Sequence, residues 1–415
     1  MGDGLKKQLQ KGDEFILKGP AKLKLIKGKA FFGTSSEREL ILKEGEGVVI
    51  GCVKDSLLEI HLGSGSEILE KKLSKEIKVP RMWYKFQDEI SKAERGTVMV
   101  IGRTDSGKTT FTFFLTKKLL KKGKRVALID SDVGQSDIGP PTTIGLAFAD
   151  SDDMMEVLKP QRLYFTGTTS IKNITDHVCG LSILVEYARK RADFIIIDTC
   201  GYVSRDGGRN LKNSKLELIR PEFLVGLQKK MELEHLLKLY PQEKVLRVPI
   251  SSNVKRISRE MRRGLRQIRW RKSFDSFLER MYDLEELRLK NTYFRTGKRI
   301  ETEIFSKLLR FECIYAEEIP EGYLLVRRDL KEEYPKEDVE FHGETLRILD
   351  YGWERNLVCG LERDGECLDI GIIKEINYEN EMICISSKIM DFDTVKFGRI
   401  KVLENGEEIG FLRWA

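Results

Sequence analysis

The sequence feature that most constrains the fold is a glycine-rich loop between an apolar strand and a helical segment. Residues 97–101 are apolar, Gly102, Gly107, Lys108 and Thr109 follow with the spacing Gly-x-x-x-x-Gly-Lys-Thr, and residues 110–122 have helical spacing. Glycines let backbone N–H groups face phosphate oxygens, the lysine places a positive charge on the β- and γ-phosphates, and the threonine hydroxyl is a ligand for Mg²⁺. This pattern predicts a P-loop that binds a nucleoside triphosphate with magnesium.

After this loop, the alternation of short apolar runs with helical segments predicts a parallel α/β domain. Further apolar strands are expected at residues 125–129, 193–197 and 245–249, each separated from the next by helical or polar segments. Residues 256–282 look helical and strongly basic. In such a domain the carboxyl ends of the strands form the ligand-binding edge.

The flanking regions have a different pattern from the centre. Short apolar runs separated by Gly, Lys, Glu and Ser predict a β-rich N-terminal domain at residues 1–80, and Trp83, Phe86 and Ile90 predict a linker helix at 81–96. The P-loop domain is expected at 97–289 and a strand-rich, acidic domain at 290–415. The fold class is therefore multidomain, with a central α/β P-loop NTPase domain and parallel sheet between two strand-rich domains.

The net charge is distributed unevenly along the chain. Residues 1–80 carry +3, residues 301–415 carry −12, and residues 81–300 carry +16. Nine basic residues lie between positions 254 and 272, against the single acidic Glu260. We expect a polyanion to bind the central region, although basic helices are often merely solvated.

Carboxylates follow two of the expected strands. Residues 130–135 read Asp-Ser-Asp-Val-Gly-Gln, and Asp198 ends the strand that precedes Tyr202. One carboxylate can hold magnesium through its water shell while another accepts a proton from an attacking hydroxyl, as phosphoryl transfer requires. Capping of the next turn by one or both aspartates remains an alternative. Tyr202 can stack a base or simply pack.

Several classes of protein are disfavoured by the sequence. The tetrapeptide Asn-Lys-x-Asp, which reads guanine in GTPases, does not occur. Seven scattered cysteines without a Cys-x-x-Cys pair favour free thiols over disulfides or a zinc site. No signal peptide and no apolar stretch of membrane-spanning length is found, so we expect a cytoplasmic or nuclear protein.

The motifs together resemble those of the polyribonucleotide 5′-hydroxyl-kinase family, which acts in tRNA splicing, mRNA 3′-end processing and pre-ribosomal RNA maturation. The resemblance lies in the P-loop at 102–110, the run at 130–135, Thr-Gly-Thr-Thr-Ser at 166–170, Asp-Thr-Cys-Gly-Tyr at 198–202 and the arginine-rich helix. It implies transfer of the γ-phosphate of ATP to the 5′-hydroxyl end of RNA, with DNA left open as a second substrate. It also implies Mg²⁺ and protein partners in RNA processing, and no membrane.

The resemblance implies a role for each matching residue. Asp132 would be the general base, Lys108 the phosphate lysine, and Arg262 and Arg266 the lid arginines that stabilise the transferring phosphoryl group. ATP would bind Gly102, Thr104, Asp105, Ser106, Gly107, Lys108, Thr109 and Thr110, and magnesium would bind Thr109 and Asp130. The nucleic acid would contact Gln135, Thr168, Thr169, Ser170, Tyr202, Arg263 and Arg269, where Thr169 and Ser170 belong to a "clasp" on the first RNA phosphate.

Two departures from the family pattern are visible, and two other functions remain open. Tyr202 stands where many relatives carry tryptophan, and Ile171 stands where a proline often follows the clasp serine. A non-catalytic ATP-binding scaffold would not need to retain Asp132, Lys108 and the lid arginines. A partition-type or metal-insertase ATPase would not need a clasp and a basic helix.

The charge of the central region predicts a salt-dependent affinity for RNA. Because bound phosphates release counterions when lysines and arginines neutralise them, the affinity for a short 5′-hydroxyl RNA should fall steeply as KCl rises. Fluorescence anisotropy with a labelled oligonucleotide at several KCl concentrations measures this slope. An affinity independent of salt would contradict a basic RNA-binding surface.

Overall fold

The structure is a computed structural model in which the chain forms two compact units, Met1–Ser273 and Phe274–Ala415. It describes residues 4–10, 13–32, 38–44, 47–70, 81–149, 158–171, 173–250, 257–328, 339–341 and 343–412. Lys255 and Arg256 of the basic cluster and Trp414 of the last apolar run lie outside these residues.

The N-terminal part of the first unit is an antiparallel sheet, in agreement with the β-rich domain expected there. Its strands run in the order β4-β3-β5-β2-β6, and β1 pairs with β5. One face is apolar and packs into a core that includes Phe15, Leu23, Phe32, Ile50 and Ile60. The strands are β1 (Leu5–Leu9), β2 (Glu14–Lys18), β3 (Ala21–Phe32), β4 (Glu39–Leu42), β5 (Gly47–Leu62) and β6 (Glu67–Glu70).

The rest of the first unit is a predominantly parallel α/β domain. Its strands run in the order β13-β12-β7-β11-β8-β9-β10, in which β13 to β8 are parallel and β9 and β10 continue the sheet antiparallel. The strands are β7 (Gly96–Gly102), β8 (Val126–Ser131), β9 (Thr143–Ala149), β10 (Arg162–Phe165), β11 (Phe194–Thr199), β12 (Phe223–Gln228) and β13 (Val245–Pro249). The helices are α1 (Arg81–Ile90), α2 (Lys108–Lys121), α3 (Ile174–Arg189), α4 (Arg205–Ile219), α5 (Glu234–Leu237) and α6 (Arg259–Phe274), with a 3₁₀ turn at Gln242–Lys244.

The four strands expected from apolar runs correspond to β7, β8, β11 and β13. Of these, β7, β8 and β11 are buried on both faces, which explains their continuous apolar sequence. The sequence pattern did not predict β9, β10 and β12. The strands β9 and β10 extend the sheet antiparallel beyond its parallel part.

Helix α1, expected as a linker, belongs to the core of the P-loop domain. Trp83 is fully buried, stacks edge-to-face on Phe111 with ring centroids 5.1 Å apart, and donates its indole N–H to the carbonyl of Pro249 at 2.9 Å. Phe111 lies on α2, the helix that begins at the P-loop. The contact between Trp83 and Phe111 therefore packs α1 against α2.

The basic helix α6, called the lid helix below, packs on the N-terminal sheet. Leu265 and Ile268 form a small buried cluster with Ile16 of β2. The approach is close, because a Cβ on Gly51 would lie 2.6 Å from Cγ2 of Ile268. The N-terminal sheet therefore determines where one face of the lid helix lies.

In the part of the second unit that the structure describes, the chain forms two antiparallel-rich sheets and the α-helix α7, as expected for a strand-rich domain. One sheet has the order β22-β21-β24-β15, with β23, β14 and β25 joined to it, and the other has the order β16-β17-β18-β20-β19. The strands are β14 (Leu278–Asp283), β15 (Arg288–Lys290), β16 (Lys298–Arg299), β17 (Cys313–Ile319), β18 (Gly322–Arg327), β19 (Val339–Phe341), β20 (Glu344–Asp350), β21 (Leu357–Arg363), β22 (Glu366–Asn377), β23 (Met382–Ser387), β24 (Thr394–Val402) and β25 (Glu408–Phe411); α7 is Thr302–Leu309, and Leu284–Glu286 is a 3₁₀ turn.

One helical expectation is wrong in this region. The basic helix was expected to reach residue 282, but α6 ends at Phe274 and β14 begins at Leu278. The strand forms because Leu278–Asp283 pairs antiparallel with β23, a contact across about a hundred residues that local periodicity does not reveal. The chain therefore enters its second unit at Phe274, before the boundary expected at residue 290.

All seven cysteines are free thiols, as expected. Among the described residues no helix is both long and apolar enough to cross a membrane.

The fold predicts that Gly145 in β9 does not tolerate a side chain. A Cβ at this position would overlap the backbone carbonyl oxygen of Ile138, at the end of the loop that carries Asp132. Gly145→Ala should therefore lower the free energy of unfolding by about 1–3 kcal/mol. Gly96→Ala is the matched control, because its Cβ would make only ordinary contacts of 3.4 Å or more. Calorimetric melting should show a lower transition temperature for Gly145→Ala, and equal stability of the two variants would contradict the packing.

Candidate active site

The P-loop is a tight turn between β7 and α2. Gly107, the N-cap of α2, has φ +87°, and Asp105 has φ +57°, so the loop needs left-handed backbone at both positions. Lys108 reaches back across the loop and donates to the carbonyl oxygen of Arg103 at 3.0 Å, while the buried hydroxyl oxygen of Ser106 has no hydrogen-bond partner among the described residues. The loop and the N-terminus of α2 thus form a preformed concavity for an anion.

Thr109 and Asp198 form the candidate magnesium corner. The hydroxyl of Thr109 donates to Oδ2 of Asp198 at 2.6 Å, and Oδ1 of Asp198 is buried without a hydrogen-bond partner among the described residues. Burial raises the pKa of Asp198 to about 6, against the opposing effects of Lys108 and the Thr109 hydroxyl. A buried carboxylate oxygen with spare acceptor capacity beside a P-loop threonine suits the water shell of Mg²⁺. The family resemblance predicted Asp130, and not Asp198, for this role.

Asp130 shapes the loop that follows β8. Its Oδ1 accepts the N–H of Asp132 at 2.9 Å and its Oδ2 accepts the N–H of Asp137 at 2.6 Å, so both oxygens already serve the backbone. Burial raises the pKa of Asp130 well above its ordinary range, and the nearby charges of Asp198, Asp137 and Asp132 raise it further. This arrangement favours the capping alternative for Asp130 and favours Asp198 as the carboxylate for magnesium.

Asp132 lies on the same loop in a half-buried position. Its Oδ1 accepts weak hydrogen bonds from the N–H groups of Gly134 at 3.3 Å and Gln135 at 3.2 Å. These bonds orient the carboxylate without involving Oδ2. Asp132 therefore keeps an oxygen that can accept a proton from a substrate hydroxyl.

The segment at 166–170 lies directly against the loop of Asp132. A Cβ on Gly134 would come within 2.7 Å of the carbonyl oxygen of Thr169. The hydroxyl of Thr168 is buried and organises the turn by accepting the N–H of Ser170 at 3.1 Å. Thr169 is half-buried and Ser170 is exposed. The structure thus places the clasp residues beside the candidate base.

Tyr202 lies in the turn that follows β11, the strand between β7 and β8. A Cβ on Gly201 would be 2.5 Å from the backbone nitrogen of Thr104, so the Cys200–Tyr202 turn touches the phosphate loop. The ring of Tyr202 is 36% exposed and its hydroxyl lies close to Gly207 at the start of α4. A partly exposed ring in this place can stack a base.

The lid helix is tied to the P-loop through Arg262. Its Nη2 donates to Oδ2 of Asp105 at 2.5 Å, and the same oxygen accepts the N–H of Ile257 at 3.1 Å. Asp105, expected among the ATP-binding residues, thus binds the lid helix. Arg266 is half-buried one turn further along, and Arg263 is exposed.

Arg269 has a different role from the one expected. The family resemblance predicted that it binds nucleic acid, but the residue is only 8% exposed. It donates to Oε1 of Gln135 at 3.0 Å and pairs with Asp137 at 3.1 Å. Gln135 in turn donates to the carbonyl of Arg262 at 3.1 Å. Arg269 and Gln135 therefore join the lid helix to the loop of Asp132, because the helix turns this face inward.

The site also contains buried basic side chains that the sequence pattern did not predict. Lys212 and Lys215 on α4 and His177 on α3 are fully buried behind the strand ends. A signal was present, because both lysines lie on the helical face that also carries Leu211, Leu216 and Ile219. Lysines on an apolar face are usually assigned to its edge, where their charge reaches water.

Comparison with known proteins identifies relatives that cover 76% of the chain. The family described as mRNA cleavage and polyadenylation factor CLP1 P-loop matches residues 102–276. The polyribonucleotide 5′-hydroxyl-kinase of Methanocaldococcus jannaschii is 34% identical over 329 residues, which cover 76% of this chain and 89% of the relative. That of Pyrococcus abyssi is 35% identical over 324 residues, with 76% and 90% covered.

Sequence similarity to the Danio rerio relative covers less than half of the chain, whereas structural similarity to Clp1p covers nearly all of it. The polyribonucleotide 5′-hydroxyl-kinase Clp1 of Danio rerio is 30% identical over 197 residues, or 44% of each chain. A chain in the solved structure of the wild-type Clp1p–Pcf11p complex superposes with a TM-score of 0.55 at 13% identity, covering 96% of this chain and 98% of that one. The Clp1-like P-loop fold with strand-rich flanking regions is thereby shown.

The burial of Arg269 predicts a structural effect that its neighbour Arg263 should not have. Arg269→Met removes one donor from Gln135 and the paired charge from Asp137, and should lower the free energy of unfolding by about 1–3 kcal/mol. Arg263→Met, on the exposed face of the same helix, should change it by less than about 0.5 kcal/mol. Thermal or urea unfolding compares the two, and equal stabilities would show that Arg269 does not hold the helix.

Proposed function

Because the chain belongs to the polyribonucleotide 5′-hydroxyl-kinase family, we propose that it transfers the γ-phosphate of ATP to the 5′-hydroxyl end of RNA. Archaeal relatives of that name match most of its length, so it is a P-loop kinase. The roles of single residues, the use of Mg²⁺ and the protein partners belong to the proposal.

One observation carries the residue assignments. Two hydrogen-bonded links join three separate parts of the site: Arg262 of the lid helix binds Asp105 of the P-loop, and Gln135 beside Asp132 binds the carbonyl of Arg262. These two hydrogen bonds therefore fix the relative positions of the phosphate loop, the loop of the candidate base and the lid helix. Phosphoryl transfer depends mainly on such positioning and on electrostatic stabilisation.

The described residues fit ATP and magnesium. The unpartnered hydroxyl of Ser106 and the left-handed turns at Asp105 and Gly107 suit a triphosphate, and the unpartnered Oδ1 of Asp198 suits a hydrated cation. Thr109 would hold the ion directly, with Asp198 acting through Thr109 and through water. Magnesium would supply charge neutralisation at the β- and γ-phosphates.

The chain's own residues account for the other parts of the reaction. Asp132 would accept the proton of the RNA 5′-hydroxyl as its oxygen attacks the γ-phosphate in line. Lys108 would leave the carbonyl of Arg103 to bind the phosphates. Arg262 and Arg266 would stabilise the charge that develops on the transferring phosphoryl group. Arg262 must exchange Asp105 for phosphate to do so.

The substrate end of the site suits a single strand. The clasp residues Thr169 and Ser170 lie beside Asp132, and the partly exposed Tyr202 lies in the turn that touches the P-loop. The first RNA phosphate would bind the clasp, and the terminal base would stack on Tyr202. DNA remains a second substrate to test, because discrimination requires contacts to the 2′-hydroxyl.

A scaffold role receives no specific support from the described site. A non-catalytic subunit would bind ATP without needing Asp132 to keep an oxygen available or the clasp to lie next to it. A protein partner nevertheless forms part of the proposal, since the solved Clp1p chain is in complex with Pcf11p.

The proposal predicts two losses of activity in a direct assay. With γ-labelled ATP, Mg²⁺ and 5′-hydroxyl RNA or DNA oligonucleotides, Asp132→Asn should lower kcat by about 10²–10⁴-fold because the proton acceptor is removed. Lys108→Ala should abolish label transfer because the phosphate charge is no longer neutralised. Asp88→Asn, an exposed aspartate on α1, is the matched control and should retain activity.

Oligonucleotides that already carry a 5′-phosphate should accept no label. Tight ATP binding by the unmodified protein without transfer to RNA or DNA would contradict the kinase and favour the scaffold. Full activity of Asp132→Asn would show that another group is the base.

A further inference from the structure

Two lysines are buried directly behind the candidate active site. Lys212 and Lys215, one turn apart on α4, have no solvent-exposed surface. Nζ of Lys212 donates to the carbonyl oxygen of Cys200 at 2.8 Å and lies 3.5 Å from its Sγ. Nζ of Lys215 donates to the hydroxyl of Ser131 at 3.1 Å. Neither is explained by the proposed reaction as described so far.

Each ammonium group is bound to the carboxyl end of a different strand. Ser131 is the last residue of β8 and separates Asp130 from Asp132, and its hydroxyl donates to the carbonyl of Asp198 at 2.9 Å. Cys200 follows β11 and begins the turn that carries Tyr202. Lys215 thus reaches the base loop and the Asp198 strand through Ser131, while Lys212 holds the Tyr202 turn.

The charges of these lysines are costly to bury. Burial and the positive charge of the neighbouring Lys212 lower the pKa of Lys215 to about 8, and burial also lowers the pKa of Lys212. Burial and the two lysines lower the pKa of His177, also fully buried, to about 3, so this side chain stays neutral and adds no further positive charge. Among the described residues neither lysine forms an ion pair.

The aspartates of the site interact electrostatically with the two buried lysines. Asp132 interacts electrostatically with both lysines, and Asp130 interacts with Lys215. A triphosphate must bind beside three carboxylates, Asp130, Asp132 and Asp198, which repel it. Positive charge placed behind them, out of reach of substrate, weakens this repulsion without occupying the binding cleft.

A purely structural role would be served better by apolar side chains. Replacing buried charges with apolar residues of similar volume is often neutral or stabilising, because the desolvation penalty disappears. Methionine at either position would match the apolar residues of the same buried helical face, Leu211, Leu216 and Ile219. The presence of two ammonium groups on this face therefore points to a use beyond packing.

We infer that Lys212 and Lys215 are positioning residues for phosphoryl transfer, which hold the strand ends bearing Asp132 and Tyr202 and offset the negative charge of the three aspartates. The inference rests on the proposed kinase function for its effect on turnover. Its effect on ATP binding does not depend on turnover. The lysines touch neither substrate nor nucleotide.

The test compares Lys215→Met and Lys212→Met with Lys190→Met. Lys190 is exposed at the C-cap of α3, near the opposite edge of the sheet, and is the matched control. Each buried variant should weaken ATP binding roughly 10-fold in calorimetric titration and lower kcat roughly 10-fold, while its melting temperature stays the same or rises. Lys190→Met should match the unmodified protein in all three measurements.

A coupled variant tests the path through Ser131. Because Lys215 would act on the base loop through this hydroxyl, Lys215→Met combined with Ser131→Ala should be no slower than Lys215→Met alone. Additive losses would overturn this path.

The possible failures can be told apart. ATP binding and kcat equal to those of the unmodified protein would overturn the inference, as would losses that only parallel a lower melting temperature. If the unmodified protein lacks kinase activity, the proposed function fails, and the ATP titrations still decide whether the buried charge supports the nucleotide site.

Discussion

The parallel pairing of β7, β8 and β11 is the constraint on which the rest of the site depends. In parallel strands all carboxyl ends meet at one edge, so Gly102, Ser131 and Thr199 end side by side although the chain separates them widely. The P-loop, the loop of Asp132 and the turn of Tyr202 begin at these three ends. The hydrogen bond from Thr109 to Asp198 then joins the phosphate loop to the neighbouring strand.

This geometry concentrates carboxylates where a polyanion must bind. Positively charged side chains at three distances from the cleft offset the negative charge of these carboxylates. Lys108 lies in the phosphate loop, Arg262 reaches the loop from the lid helix, and the buried Lys212 and Lys215 lie behind the strand ends. Of these side chains, only Lys108 and Arg262 can contact phosphate. Lys212 and Lys215 act through a medium of low polarity, where charges interact strongly over a longer range than they do in water.

The lid helix has two faces with different tasks. Its buried face holds Leu265 and Ile268 against the N-terminal sheet and Arg269 against Gln135 and Asp137. Arg263 lies on the exposed face of the helix, and Arg262 is held by Asp105. An arginine on a basic helix can thus be a structural link or a phosphate ligand, and its helical face decides which. The N-terminal sheet contributes to the site by supporting this helix.

Local spacing in the sequence predicts the P-loop, the β-rich N-terminal region, the main parallel strands and a candidate base. The signals are glycines that permit the turn, apolar runs and carboxylates directly after a strand. Other features appear only in the folded chain: Asp130 serves the backbone while Asp198 meets Thr109, Arg269 is buried, β14 is a strand, and two lysines lie behind the site. Apart from the local hydrogen bonds of Asp130, each of these features depends on a partner far away in the chain, such as Asp137 for Arg269 or Ser131 for Lys215. The burial and hydrogen bonding of such a side chain are set by that partner and not by its neighbours in sequence.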